Sequence, residues 1–382
     1  MGYFVYAADR TVLSSVLAPL ASALNLSNSE LGLLGSAQYI GVLAFVFIAG
    51  HFSDRYGKWT VLTIGVIIFT SFTWLVGLST SFLEAFFLRL VSGFGEGIFW
   101  PVAMATVANY FGARKGLTLG IFYVGFDAGS VAGLSIGGIT YSLTSDWRLA
   151  FFVAPLLGLL VIAGVIIARR KISSSFEENR RIRLGRDALQ LVASKNVALL
   201  MLFAFLATWA SVWQVVFLPY YFFTVSHFTI LSAALLSSLV AVAGGCGKIL
   251  LGGISDRLQR NKLLVAISIA LLLSYFLFFE SSNFSLDLIG ALSMGFFSGA
   301  IFPIMQALMS DSCALPNTSG TALGLTTTSQ SVATVISPTI AASLFFLGVG
   351  RVLALDAMIP AALTIIVALL LKRADHESSR ID

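Results

Sequence analysis

An arginine and a glutamate stand seven residues apart inside an apolar stretch of the sequence, as Arg89 and Glu96. Seven residues at about 100° each make nearly two helical turns, so both side chains would share one helix face, about 10 Å apart along the axis. Gly93 and Gly97 lie near that face. Charged groups inside an apolar helix are costly unless they are paired or hydrated. The spacing therefore predicts a functional site on this helix.

Two further charged residues, Asp9 and Arg10, stand side by side in the first apolar run. An arginine stays charged and its planar group forks onto a carboxylate, so Arg10 and Arg89 are candidates for binding an anion or for holding the carboxylates. A carboxylate in a dehydrated cavity is able to exchange a proton near neutral pH, which makes Asp9 and Glu96 candidates for proton coupling. Neighbours on a helix differ by about 100°, so we expect one of Asp9 and Arg10 to face the helix that carries Arg89 and Glu96 and the other to face the cavity.

Weaker candidates are polar or amphipathic residues within other apolar runs. We expect them to contact a substrate, although interhelical hydrogen bonding or an aromatic belt is the ordinary alternative. The run TTTSQS at 326–331 suits the wall of a wet cavity. These substrate-binding candidates are Asp127, Gln38, Tyr39, Trp213, Gln214, Tyr221, Ser329 and Gln330.

The composition predicts an all-α integral membrane protein. Of the 382 residues, 58% are hydrophobic and 11% are charged, and the mean hydropathy is +0.93. Soluble domains average about 25% charged residues. Twelve apolar runs have the length of a transmembrane helix. They span about 3–24, 31–50, 59–79, 82–108, 116–141, 148–168, 197–223, 229–252, 262–280, 286–309, 318–346 and 350–371.

The distribution of basic residues predicts the orientation of these helices. Of 23 lysines and arginines, eighteen fall in loops or tails on one side of the predicted membrane, and only Arg148 and Arg351 fall on the other. Basic loops stay in the cytoplasm, so both termini are predicted to be cytoplasmic. The net charge of +5 is therefore a topology signal, and no nucleic-acid partner is expected.

The two halves of the chain repeat each other. GHFSDRYGK at 50–58 matches GGISDRLQR at 252–260, and GFGEGIFWP at 93–101 matches GFFSGAIFP at 295–303, both with an offset of 202. Each half carries six predicted helices, so the copies share one orientation, as parallel repeats do. We predict two pseudo-symmetric six-helix bundles, 1–168 and 196–382, joined by a basic cytoplasmic linker at 169–195.

The repeat separates packing from chemistry. The counterparts of Arg89, Gly93, Glu96 and Gly97 are Ala291, Gly295, Ser298 and Gly299. The small residues recur and the charges do not. We expect the glycines to serve close helix packing in both halves. The charges are expected to serve a function confined to the first half, although a neutralised ion network that packs helices is the alternative.

These motifs resemble those of the major facilitator superfamily. The signature Gly-x-x-x-Asp-Arg-x-Gly-Lys occupies Gly50 to Lys58. YAADR at 6–10, the Arg89 to Pro101 pattern and FLPYYF at 217–222 are similar to the anion:cation symporters. That resemblance implies proton-coupled transport of an organic anion. Spinster-like lipid transporters share the Asp-Arg pair in the first predicted transmembrane helix and the Gly-x-Gly-Glu in the fourth. This shared pattern leaves the subfamily open.

The signature loops resemble cytoplasmic gates. We expect the acidic and basic residues at these helix ends to clasp neighbouring helices when the cytoplasmic side is closed. Topology-setting charge is the alternative, but topology needs only basic residues and each loop also carries an aspartate. The predicted gate residues are Asp54, Arg55, Asp256 and Arg257.

The leading prediction is a secondary active transporter of the cell membrane that works by alternating access. It would move a small organic anion with protons, as a monomer in the lipid bilayer. The alternative is a Spinster-like or drug-type exporter of amphipathic molecules. Nucleotide loops, nucleophile arrangements and metal spacings are absent from the sequence, so we predict no enzyme activity, metal or cofactor.

Overall fold

The computed structural model describes residues 2–46, 48–110, 115–171, 194–281, 283–311 and 319–378. Within those ranges the chain is helical and contains no strand, which confirms the predicted all-α class. The first half forms α1 Gly2–Ser15, α2 Leu17–Ala23, α3 Asn28–Val46, α4 Ala49–Tyr56, α5 Lys58–Val76, α6 Phe82–Tyr110, α7 Lys115–Thr144, α8 Arg148–Val153 and α9 Leu156–Lys171. The second half forms α10 Lys195–Val216, α11 Leu218–Thr224, α12 Ile230–Ser255, α13 Arg260–Glu280, α14 Phe284–Asp311, α15 Ser319–Ser343, a 3₁₀ turn at Phe345–Leu347 and α16 Val349–Ser378.

Most of these helices are suited to a bilayer. Within the described ranges, nine helical stretches are long and apolar enough to cross a membrane. The three other predicted spans coincide with α1–α2, α6 and α15. The α1–α2 segment is divided by a break, α6 contains buried charged residues, and α15 contains the hydroxyl-rich run at 326–331.

The predicted spans 3–24 and 197–223 are not continuous helices, contrary to expectation. The first is interrupted at Val16, between α1 and α2, and the second at Phe217, between α10 and α11. Each break places a proline, Pro19 or Pro219, in the first turn of the short helix that follows. Proline is tolerated there because that turn has no intrahelical partner for its N–H groups. The predicted span 148–168 is also divided, into α8 and α9.

The signature segment at 50–58 is largely helical, although we expected a loop. It forms most of α4, which ends at Gly57 with φ of 83°. Only glycine adopts such a backbone conformation readily, and it redirects the chain into α5. The turn therefore depends on the glycine of the motif, while Asp54 and Arg55 lie on the helix before it.

Two compact units emerge from the packing. The first comprises Met1–Ser174, Trp213–Val242 and Val335–Val352, and the second comprises Ser175–Val212, Ala243–Thr334 and Leu353–Asp382. In the first unit, α1 packs on α7, and α6 packs on both α3 and α5. In the second, α13 packs on α14, and a small core joins Val197, Leu200, Met309 and Leu371. The predicted division into two bundles stays a prediction, and most of its linker, 172–193, lies outside the described residues.

Glycines bring α3 and α6 into backbone contact inside the first unit. A side chain at Gly93 would collide with the carbonyl oxygen of Gln38, and a side chain at Gly97 would meet the carbonyl oxygen of Val42 at 2.7 Å. Such close approach is typical of helix pairs in membranes. It also sets the distance across which the side chains of Gln38 and Glu96 meet.

Candidate functional site

Four charged residues from α1 and α6 meet in the first unit. The guanidinium Nε of Arg10 lies 2.7 Å from Oε2 of Glu96, which makes a buried salt bridge. Glu96 is fully buried, whereas the side chain of Arg10 keeps 12% of its surface exposed. Asp9 and Arg89 are each 2% exposed. Arg10 is therefore the charged member of this cluster that another molecule reaches most readily.

Two tyrosine rings flank the guanidinium of Arg10. Its central carbon lies 4.3 Å from the ring centre of Tyr6 and 4.7 Å from that of Tyr39. Both distances are within the range of cation–π attraction. The two rings and the Glu96 carboxylate therefore hold the Arg10 side chain in one orientation.

Asp9 is turned into a nest of small polar side chains. Its Oδ2 atom accepts hydrogen bonds from Thr73 Oγ1 at 2.8 Å, from Gln38 Nε2 at 3.0 Å and from Ser92 Oγ at 3.2 Å. The donors come from α5, α3 and α6, so the Asp9 carboxylate ties three helices to α1. Its other oxygen, Oδ1, is buried and has no hydrogen-bond partner among the described residues.

Gln38 joins the two carboxylates. Its amide nitrogen donates to Oδ2 of Asp9 at 3.0 Å and to Oε1 of Glu96 at 2.7 Å. An amide group has two N–H donors, so this pair of bonds uses both. Its carbonyl oxygen Oε1 is buried and, within the described part of the chain, unpartnered.

Arg89 lies against the backbone of α1. Its Nη1 donates to the main-chain oxygen of Asp9 at 3.2 Å, and its Nε has no partner in the described ranges. Asp9 and Arg10 therefore both reach α6, at Ser92 and at Glu96, one helical turn apart. The expectation that only one of them would face this helix is wrong, because their side chains diverge along α6 while staying on its near face.

The sequence predictions missed three residues of this site: Tyr6, Thr73 and Ser92. Ser92 lies three residues after Arg89 and four before Glu96, so helical periodicity was sufficient to place it on the charged face. Thr73 is a hydroxyl within an apolar helix, a weaker signal because threonines there often bond their own backbone. Tyr6 precedes Arg10 by one turn, which is the spacing that allows a ring to cover the guanidinium.

The contacts above gather Asp9, Arg10, Gln38, Tyr39, Arg89 and Glu96. The remaining candidates lie on other helices. Asp127 is 8% exposed on α7, and Trp213, Gln214 and Tyr221 belong to α10 and α11. In the second unit, Ser329 on α15 donates from Oγ to the carbonyl oxygen of Met201 at 2.7 Å, next to Gln330.

Asp256, one of the two predicted gate residues of the second repeat, belongs to an ion cluster. Asp256 accepts a hydrogen bond from Nη2 of Arg260 at 3.0 Å, and the Nη1 atom of Arg260 pairs with Asp311 at the end of α14. Arg257 is exposed. Arg260, one turn after Asp256, was not among the predicted gate residues, and the gate role of Asp256 and Arg257 stays a prediction.

In the first repeat, the guanidinium of Arg55 lies 5.4 Å from the ring centre of Tyr56. The side chain of Asp54 lies outside the described residues. Across the described part of the chain, no group of three or more histidine, cysteine, aspartate or glutamate residues is placed to hold a metal ion.

Comparison with known proteins identifies the family. The model of the Major Facilitator Superfamily matches residues 1–338, so the chain belongs to this superfamily of multi-pass membrane transporters. It is 28% identical over 359 residues to the uncharacterised MFS-type transporter YceJ of Bacillus subtilis, covering 90% of this chain and 87% of that protein. It is 26% identical over 275 residues to a probable 4-methylmuconolactone transporter of Cupriavidus pinatubonensis, covering 70% of this chain and 64% of that protein.

Solved structures share the fold. A crystal structure of a bacterial homologue of the human lysosomal transporter Spinster, in an inward-facing and occupied conformation, superposes with a TM-score of 0.79. The match covers 99% of this chain and 95% of that one, at 16% sequence identity. At this identity the likeness concerns the fold alone. The predicted superfamily and fold class are thus confirmed.

Proposed function

We propose that the protein is a proton-coupled secondary transporter of a small organic anion, in which Arg10 binds the anion and Glu96 carries the proton. The carrying observation is the 2.7 Å pair between a partly exposed arginine and a fully buried glutamate. Asp9 and Glu96 balance Arg10 and Arg89 when all four are charged. Neutralisation of Glu96 would release Arg10 from this pair, so that Arg10 could bind a ligand.

Coupling follows from competition for Arg10. A proton on Glu96 removes the negative charge that holds the guanidinium, and an incoming carboxylate then replaces it as the partner. Loss of the proton restores the Arg10–Glu96 pair and displaces the anion. One positive and one negative charge thus enter and leave the site together, so the buried cluster never carries a large net charge.

Arg89 serves this site in a different way from Arg10. It is buried against α1 and bonds the main chain of Asp9, so we assign it to holding the helices and balancing charge. Direct contact with a substrate is assigned to Arg10 and Tyr39, and the candidates on α7, α10, α11 and α15 stay predicted substrate contacts. Rocking of the halves around a midplane site would provide alternating access.

A ligand screen tests the substrate class first. The purified protein is heated with small carboxylates in one series and with lysolipids in the other, and the shift of its unfolding temperature is measured. We expect stabilisation by carboxylates that is lost in Arg10→Gln, because the edge of the guanidinium is removed. Stabilisation by lysolipids alone would overturn the anion assignment.

The carboxylate that stabilises most is then used in proteoliposomes. Wild type should accumulate it under an imposed pH gradient. Glu96→Gln should lose this accumulation and retain part of counterflow exchange, since substrate binding needs no proton transfer in that assay. Ser298→Ala, the matched change in the second repeat, should behave as wild type. Accumulation by Glu96→Gln equal to that of wild type would remove the proton role.

Export of an amphipathic molecule is the second candidate. Its support is an aromatic cluster between α1 and α7, where Tyr3 stacks on Phe122 with ring centres 4.4 Å apart and lies 5.2 Å from Tyr6. An apolar body on these rings with a charged head at Arg10 would suit a lipid-like substrate. The lysolipid series of the screen decides between the two candidates.

We further propose that the protein acts as a monomer in the cell membrane with both termini in the cytoplasm. Eighteen of the 23 basic residues support this orientation. Labelling of single cysteines placed in the loop after α12, predicted to be cytoplasmic, and in the loop after α7, predicted to be extracellular, from either side of sealed vesicles, tests it. Labelling of the first only from the outside and of the second only from the inside would reverse the orientation.

A further inference from the structure

The pairing of Asp9 with Gln38 carries a consequence that the Arg10–Glu96 pair does not. One hydrogen bond joins them, from the amide nitrogen of Gln38 to Oδ2 of Asp9 at 3.0 Å. The second oxygen of each group, Oδ1 of Asp9 and Oε1 of Gln38, is buried and has no hydrogen-bond partner among the described residues. Asp9 is 2% exposed and Gln38 is 1% exposed. Two acceptors are thus withheld from bulk water on one pair of side chains.

Buried acceptors of this kind are costly, and two acceptors do not satisfy each other. A proton on Oδ1 turns that oxygen into a donor. A carboxylic acid and an amide then form two hydrogen bonds, N–H to the acid carbonyl and O–H to the amide carbonyl. The first of these bonds is present at 3.0 Å, and the two atoms that the second would join, Asp9 Oδ1 and Gln38 Oε1, are both buried and unpartnered among the described residues.

We propose that Asp9 and Gln38 form a proton-binding site in which a proton on Asp9 Oδ1 is donated to Gln38 Oε1, completing a carboxylic acid–amide pair. The step is an acid–base reaction: one O–H bond forms on Oδ1, one breaks in a donor water or hydronium, and Asp9 becomes neutral. The inference rests on the proposed proton coupling and makes Gln38 a positioning residue for the proton.

The surroundings of Asp9 are consistent with two charge states. Arg89 on α6 bonds the Asp9 main chain and supplies a positive charge, while Glu96 on the same helix supplies a negative one. Arg10 is paired with Glu96. Thr73 and Gln38, from α5 and α3, are neutral donors that remain bonded to Oδ2 in either state.

Helix α7 also packs on α1, and it carries a further acidic residue, Asp127. Among the described contacts of the Asp9 carboxylate there is no lysine, and Arg89, which bonds the Asp9 main chain, supplies the nearby positive charge. The proton on Oδ1 therefore changes the net charge of this pocket by one, with no rearrangement of the three bonds to Oδ2.

Gln38 also separates this proton from Glu96. Its amide nitrogen bonds both carboxylates, but an amide N–H does not pass a proton onward without converting to an unstable tautomer. The amide of Gln38 therefore does not relay a proton between Asp9 and Glu96, although it bonds both. The transporter would carry two proton sites with different partners, one facing an arginine and one facing an amide.

Infrared difference spectroscopy tests the site without a substrate. Purified full-length protein in lipid is stepped from alkaline to acidic pH, and the carbonyl stretch of protonated carboxyl groups is recorded. Wild type should gain a band that Asp9→Asn removes and that Glu96→Gln leaves in place. Gln38→Leu should move this band to higher wavenumber, because its hydrogen bond is lost. Gln330→Leu, at a half-buried glutamine of α15, is the matched control and should leave the band unchanged.

Two results would overturn the proposal: no band that depends on Asp9, or a band that Gln38→Leu does not move. If Gln38→Leu fails to fold, Gln38→Met replaces the amide with a side chain of similar length and gives the same comparison. Asp9→Asn should also unfold at a higher temperature than Asp9→Leu, since an asparagine amide donates to Gln38 Oε1 as the protonated acid would. A titrating Asp9 band without pH-driven accumulation would leave this site standing and remove the proposed transport coupling.

Discussion

The α3–α6 pair and the α12–α14 pair occupy corresponding places in the sequence repeat, and they share their packing but not their charge. A side chain at Gly97 would meet the carbonyl oxygen of Val42, and one at Gly299 would collide with that of Gly244. Both members of this contact are related by the offset of 202. The backbone contact is therefore the same contact made twice.

The corresponding helices α5 and α13 show where the two halves diverge. In the first, Thr73 on α5 donates to the Asp9 side chain on α1 at 2.8 Å. In the second, the counterpart Tyr275 on α13 donates to the main-chain oxygen of Ala210 on α10 at 2.7 Å. The same pair of helices is linked by a polar bond in both halves. Only the first ends that bond on an ionisable group.

The comparison teaches that helix packing and ion chemistry are separable in this fold. Glycine contacts set the helix spacing in both halves. The counterparts of Arg89 and Glu96 are Ala291 and Ser298, and the Ser298 hydroxyl donates to the carbonyl oxygen of Gly295 on its own helix at 3.1 Å. Changes at the charges should affect function and stability in the first half, and changes at the glycines should affect both halves alike.

The largest effect on stability is expected for Arg89→Met. Removing one partner of a buried ionic network leaves uncompensated charge and costs about 3–5 kcal/mol. Thermal unfolding of the purified protein should show a large drop in the unfolding temperature. Ala291→Ser, at the corresponding site, should change little. A small effect of Arg89→Met would mean that the four charges do not act as one network.

Gly97→Val and Gly299→Val should destabilise the protein by similar amounts. Each introduces a side chain where another backbone is in contact, and such overpacking costs about 1–3 kcal/mol. Gly164→Val is the control, because no atom lies within 4 Å of a side chain built there. Strongly unequal losses at Gly97 and Gly299, measured by thermal unfolding, would contradict a shared packing role.

A smaller loss of stability is expected for changes on α5 and α13. Interhelical hydrogen bonds in membranes are worth about 0.6 kcal/mol, so Thr73→Val and Tyr275→Phe should each lower stability by about that amount. Their effects on transport should differ. Thr73→Val should shift the pH profile of uptake, because a donor to Asp9 is lost, and Tyr275→Phe should not. Equal shifts of the pH profile would argue against confining ion chemistry to the first half.

The smallest effect on stability is expected at the helix ends. Asp256 and Arg260 form an exposed pair, whose loss costs less than about 1 kcal/mol. Asp256→Asn should nevertheless slow transport at unchanged ligand affinity, and Asp54→Asn should do the same if the repeated loops are gates. Lys262→Gln is the control, since Lys262 is an exposed basic residue near Asp256 that is not a predicted gate residue. A loss of ligand affinity in Asp256→Asn would place this residue in binding instead.

The sequence was sufficient for the helices and for the residues that carry charge. Apolar runs and the offset of 202 predicted the fold, and the spacing of Arg89 and Glu96 predicted one buried face. Pairing was not predictable, because both arginines were equally able to meet either carboxylate. That choice depends on how α1 is rotated against the helices it contacts, α7 among them, and such tertiary packing is not readable from the local sequence.

The helix breaks escaped prediction for a related reason. A proline within an apolar run either kinks a helix or begins a new one, and the run itself does not distinguish the two outcomes. At Pro19 and Pro219 the chain begins a new helix of seven residues. A proline recurs near the end of both predicted spans, 3–24 and 197–223, and this recurrence was the signal that could have located both breaks.

The backbone contact between Gly299 and Gly244 has a consequence for how such a transporter diversifies after a duplication. Because the helices there meet through main-chain atoms, the neighbouring side chains carry little of the work of holding them together. Positions such as Ala291 and Ser298 are then free to drift in chemistry without loss of architecture. The second half can therefore accept substitutions that introduce a new ion pair, while the first half keeps its existing one.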